Sequence, residues 1–168
     1  MARSFTLTVQ SPATVEQVLA AFGDPQYWQA RLAALSGGTG VLDELRVDGD
    51  GTVTVATTSS LLRDRLPKII TQVHRGDVHL VRRERWRWVE DGRVHGEITA
   101  SVPGAPLSVA GAALLAPAPT GSRGDYTTTV SVSLPLVAAS IENFIGGQAT
   151  EQITALQRFT TEWIAAQG

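Results

Sequence analysis

The chain has 168 residues, 43% of them hydrophobic and 18% charged, with a formal net charge of −2; residues 1–168 are expected to form one domain, burying about 70% of its unfolded surface. The absence of cysteine excludes a disulfide framework, a thiolate metal site and a cysteine nucleophile. No apolar run reaches the ~20 residues that span a bilayer, the first residues alternate polar and apolar unlike a signal-peptide core, and the cations are arginines apart from Lys68, without a net basic balance for nucleic acid; a cytoplasmic protein with no integral membrane segment is expected.

Phe5, Leu7 and Val9 alternate with threonines and predict a half-buried first strand. Thr14 caps a short helix whose apolar face is Val15, Val18, Leu19 and Phe22. Asp24-Pro25 then starts a second helix with Tyr27, Trp28, Leu32 and Leu35 on its apolar side. Strands follow at 41–47 and 53–57 around the Asp48-Gly49-Asp50-Gly51 hairpin turn, which lacks the glutamate at its twelfth position that a calcium loop needs. Leu66, Ile69, Ile70 and Val73 behind Pro67 predict a short helix, a candidate lid.

A long strand over 77–89 carries Arg82, Glu84, Trp86 and Trp88 on its expected inner face, with Arg83, Arg85 and Arg87 outward. A turn at Glu90-Asp91-Gly92 sets Trp88 opposite Val94, Trp86 opposite Gly96 and Arg85 opposite Glu97. Further strands are expected at 94–102, 107–116 and 126–134, with a loop over 117–124. From about Ala138 onward, a stripe running from Ile141 to Ile164 predicts a helix of roughly seven turns.

Seven strands, two short helices after the first, and one long apolar-striped helix at the end define an α+β fold, because only that last helix can cover the concave face of a coiled antiparallel sheet. Met1-Ala2-Arg3-Ser4-Phe5, Tyr27-Trp28-Gln29-Ala30-Arg31-Leu32, Val102-Pro103-Gly104-Ala105-Pro106-Leu107, Ile141-Glu142-Asn143-Phe144-Ile145-Gly146-Gly147-Gln148 and Glu162-Trp163-Ile164 resemble an uncharacterised high-GC bacterial branch of the START-like, or SRPBCC, helix-grip superfamily. That resemblance covers essentially the whole chain. It implies a helix-grip domain with an internal cavity, in a superfamily spanning lipid carriers and polyketide cyclases, and so supplies a pocket without fixing a reaction.

The candidate ligand site is Arg82, Glu84, Trp86, Trp88, Gly111, Tyr126, Phe144, Gly147 and Gln148. Small residues at Gly96, Ala100 and 110–113 leave volume unless large side chains reach across. Gly146-Gly147 inside a helix costs on the order of 1–2 kcal/mol relative to alanine, to be offset either by ligand space or by a close helix-to-sheet contact. Arg82 and Glu84 either orient a ligand's carboxylate or hydroxyl, or sit solvated where the strand projects past the helix. His74, His79 and His95 do not converge on a metal, and no cofactor or catalytic residue is expected.

Three functions remain open. The first is binding or carriage of a small hydrophobic molecule, lipid, sterol-like or polyketide-like, by a monomer or weak homodimer. The second is a cyclase or dehydratase with Glu84 as base and Arg82 or Tyr126 holding an enolate. The third is a partner-binding module using an exposed apolar strip around Tyr27 and Trp28.

Overall fold

Antiparallel pairing of neighbouring strands builds the sheet that frames the protein. In the computed structural model, which describes residues 2–36, 39–61, 68 and 78–167, the elements are β1 (Ala2–Ser11), α1 (Val15–Phe22), α2 (Pro25–Leu35), β2 (Val41–Val47), β3 (Val53–Leu61), β4 (Val78–Trp88), β5 (Val94–Ser101), β6 (Leu107–Ala118), β7 (Gly121–Val132) and α3 (Ala138–Gln167). The seven strands form one sheet in the order β1-β7-β6-β5-β4-β3-β2. Thus β2 to β7 meander by hairpins, and β1 closes on β7. The candidate lid from Leu66 to Val73 lies outside the described residues apart from Lys68, as does His74.

Local chemistry explains the helix boundaries near the N-terminus. Thr14 Oγ1 accepts the Gln17 N–H at 3.2 Å while Gln17 Oε1 accepts the Thr14 N–H at 2.9 Å, a reciprocal capping box. Asp24 Oδ1 accepts the Gln26 N–H at 2.9 Å with Pro25 in the first turn, so one helix stops and the next starts within a few residues.

The β4–β5 register pairs Trp88 with Val94, Trp86 with Gly96 and Arg85 with Glu97, as the turn chemistry predicts. Asp91 (φ 61°) and Gly92 (φ 68°) both adopt the left-handed conformation in that turn. The loop expected over 117–124 is instead a two-residue connection, because β6 continues to Ala118 and β7 begins at Gly121. Pairing of 116–118 with 121–123, and of 122–124 with β1 as well, overrides the turn-rich composition there. Gly121 has φ 143°, and a Cβ on it would overlap the Ser11–Pro12 backbone, so the start of β7 presses directly on the end of β1.

Two apolar clusters hold α3 against the sheet. The first joins α1, α2 and the inner faces of β3 and β4 to Phe159, Trp163 and Ile164, with Phe22 4.8 Å from Trp86 and Tyr27 5.3 Å from Trp163 between ring centroids. The second gathers Val130, Val132, Ala138 and Ile141, with Phe5, Leu107, Val109 and Ile145 packed around them. Between the clusters the facing residues are small, and the packing opens.

Candidate functional site

Alternation along β4 puts Arg82, Glu84 and Trp86 on the face toward the helices, and Glu84 is the hub. Its Oε2 accepts from Arg82 Nε at 2.9 Å and from Arg31 Nη2 at 3.4 Å, and its Oε1 accepts from Trp86 Nε1 at 3.1 Å. Burial alone would push the Glu84 carboxyl up, but Arg82, Arg31 and the Trp86 hydrogen bond outweigh it and hold the group below the ordinary carboxylate value. Such a carboxylate stays ionised and fully hydrogen-bonded, the arrangement that makes a buried charge tolerable.

Arg31 reaches this hub from α2. Its guanidinium lies 4.3 Å from the Trp28 ring centroid, and Nη1 approaches the Tyr27 hydroxyl at 3.4 Å. Burial pulls Arg31 down, yet Glu84 and then Tyr27 raise it, so it keeps its charge. Thr160 donates to the Leu156 carbonyl at 2.7 Å, which leaves Tyr27 as donor in the hydrogen bond between the two hydroxyls. A chain of donors therefore runs from Arg31 through Tyr27 and Thr160 into the backbone of α3, tying α2, β4 and α3 together.

Beside this hub lies a cavity of about 90 Å³, walled by Arg82, Glu84, Trp86, Ile98, Gly111, Tyr126 and Thr128 from the sheet, by Phe22 and Arg31, and by Ala149, Gln152, Ile153 and Leu156 from α3. It is small against the roughly 300–1,000 Å³ of drug-sized sites. Tyr126 has no hydrogen-bond partner among the described residues. Burial, reinforced by the Glu84 charge, pushes its phenol up to about 12, so at neutral pH it is a free hydroxyl donor on the wall.

Of the residues singled out in the sequence, Arg82, Glu84, Trp86, Gly111 and Tyr126 meet on this wall, and the other four do not. Trp88 is 37% exposed where Trp86 is 2% exposed, because the end of β4 projects past the core and the Trp88 ring covers Gly51 instead. Phe144 is 44% exposed, and Gly147 and Gln148 are exposed as well. The phase of the helix explains this: at 100° per residue, Gly146, Ala149, Ile153 and Thr160 face the sheet, which turns Phe144, Gly147 and Gln148 away. A Cβ on Gly146 would overlap the Phe5 ring, whereas one on Gly147 meets nothing within 4 Å. Close helix-to-sheet approach accounts for Gly146, and neither glycine opens the cavity.

Other expectations are also corrected. Arg82 and Glu84 are not solvated at a strand end, Glu84 being buried and Arg82 partly so. The exposed strip around Tyr27 and Trp28 does not exist, since both are core residues. Sequence reasoning misses Arg31. Its signal is present, because Arg31 is three residues after Trp28 and four after Tyr27 on the buried side of α2. Among the described residues no three side chains of metal-ligating type cluster, and His79 is exposed.

A curved antiparallel sheet gripping a long C-terminal helix around an internal space is the helix-grip fold of START-like, SRPBCC proteins. Residues 6–164 match the family described as Protein of unknown function (DUF2505), and the chain belongs to that family. An uncharacterized protein of Mycobacterium tuberculosis, Rv0481c, is 38% identical over 170 residues, 98% of each chain. TTHA0849 from Thermus thermophilus is similar in structure with a TM-score of 0.56 at 15% identity, over 100% of this chain and 99% of that one. Norcoclaurine synthase from Thalictrum flavum, in complex with dopamine and hydroxybenzaldehyde, has a TM-score of 0.57 at 13% identity, over 100% of this chain and 89% of its own. At these identities the likeness is one of fold.

Proposed function

We propose that the protein binds and carries a small hydrophobic molecule in the cavity between α3 and the sheet. The observation that carries this reading is the cavity itself: about 90 Å³ bounded largely by apolar and small side chains, with Tyr126 on its wall as a donor unpartnered among the described residues. Sites of that make-up, mostly apolar with a few oriented polar groups, are the usual form of small-molecule pockets. The volume favours a compact guest, a single ring or short chain, over a sterol or a two-chain lipid. Single-ring compounds, dopamine and hydroxybenzaldehyde, are the partners in the norcoclaurine synthase complex of the same fold.

The geometry does not favour Glu84 as a catalytic base. Its lowered pKa and its three donors leave it ionised but engaged, so proton abstraction would have to break an ion pair with each arginine. Binding needs no such step.

Native mass spectrometry on protein purified from its own host tests the reading. One bound small molecule per chain is expected, and a Gly111→Leu variant, which fills the wall where a Cβ has room at 3.5 Å from Ile98, is expected to arrive empty. Equal occupancy of a wild-type guest in Gly111→Leu would count against this cavity as the site.

A further inference from the structure

The cavity wall carries an unbalanced charge. Among the described residues that line it, Arg31 and Arg82 are cationic and Glu84 is the only carboxylate, which leaves an excess of one positive charge. Arg31 is spent on Glu84, Tyr27 and the face of Trp28, and its side chain is only 7% exposed. Arg82 uses Nε on Glu84, and its two terminal amino groups have no partner among the described residues. Tyr126, on β7 across the same space, offers a hydroxyl that is likewise unpartnered among the described residues.

We propose that the guest of this cavity is a monoanion: a compact apolar body with a carboxylate head that Arg82 and Tyr126 hold. A charge buried in a poorly solvated space is stable only when paired. One negative charge balances the wall, whereas a neutral guest leaves Arg82 with only residual solvent and a doubly charged phosphate overcompensates. The planar fork of a guanidinium matches a carboxylate in geometry as well as charge. Glu84 then has a definite task. It fixes Arg82 by its Nε and screens Arg31, so that one arginine rather than two faces the guest. This inference rests on the binding reading above and specifies its ligand.

Phenylacetate and 2-phenylethanol differ at the head group and little in shape, and only the first is charged at neutral pH. Titrating the isotope-labelled protein with each, and following the amide signals of Gly111, Tyr126 and Ile153, gives both affinities. Phenylacetate is expected to bind about tenfold or more tightly than the alcohol, in keeping with hydrogen bonds to charged groups. In Arg82→Gln that ratio should fall toward one; a merely structural role for Arg82 would weaken both probes together and leave the ratio where it was. Equal or better binding of the alcohol to the wild type overturns the anionic assignment while the cavity reading stands. Binding of neither probe overturns both, and the wild-type ratio decides the matter even if the variant fails to fold.

Discussion

The two halves of α3 are held by different chemistry. Its C-terminal half packs into an aromatic cluster with Phe22, Tyr27, Trp28 and Trp86, and its N-terminal half into an aliphatic one with Val130, Val132 and Val109. Each half also keeps a buried glutamate. Glu84, on the aromatic side, is saturated by two arginines and an indole, while Glu142, fully buried on the aliphatic side, accepts among the described residues only the Val132 N–H at 3.1 Å, with no partner there for Oε1. Rings and the Tyr27–Thr160 hydrogen bond fix α1 and α2 to the helix at one end, and the helix start is pinned to the end of β7 at the other. Between these anchors Ala100, Gly111 and Ala149 are too small to meet across the gap, which is why the cavity lies there and not at either end.

The largest effect should come from breaking the aromatic end's polar hub. Glu84→Ala strands Arg31 in the core and should destabilise the fold by about 3–5 kcal/mol, whereas Glu142→Gln keeps an acceptor for Val132 and should cost under about 1 kcal/mol; thermal unfolding of the two variants would compare them. The sign of the pH dependence follows from the lowered carboxyl. Its stabilisation is present above the ordinary value of 4.5 and is lost as pH falls through the lower value of the folded state, so the wild type should lose stability in that acid window and Glu84→Gln should show a flatter profile.

A smaller contrast lies within the aliphatic half. Gly146→Ala forces a Cβ into the Phe5 ring and should destabilise by about 1–2 kcal/mol, while Gly147→Ala, open to solvent, should stabilise by about 0.5–1 kcal/mol through helix propensity. Opposite shifts in denaturant midpoint from adjacent glycines would confirm the helix phase, and two shifts of the same sign would refute it. Tyr27→Phe, which removes the hydroxyl linking Arg31 to Thr160, should cost about 1 kcal/mol. Its effect should fall on the exchange protection of the C-terminal half of α3, with the N-terminal half barely changed.

Much of this architecture is legible in the sequence because it rests on periodicity and local turn chemistry. The count of seven strands, the β4–β5 register through Glu90-Asp91-Gly92 and the long stripe of α3 follow from alternation, φ > 0 residues and helical spacing. The site is only half legible. Alternation places Arg82, Glu84 and Trp86 on one inner face correctly but cannot say where the sheet outruns the helix, so it turns Trp88 inward when that residue is the one that projects. Arg31 escapes notice because a cation on an amphipathic helix is ordinarily solvated, and only the tertiary approach of β4 turns it into Glu84's partner. Gly146-Gly147 reads equally as ligand space or as a close helix-to-sheet contact, and only Phe5, a partner about 140 residues away in sequence, decides for the contact at Gly146.

The space between the two clusters can be tested without knowing the guest. Crystals of the wild type and of Gly111→Leu, pressurised with xenon, should differ at one place: a xenon atom among Ile98, Gly111, Ile153 and Leu156 in the first and none there in the second, as expected when an apolar void is filled. A wild-type structure with those side chains closed on one another and no xenon between them would contradict the account.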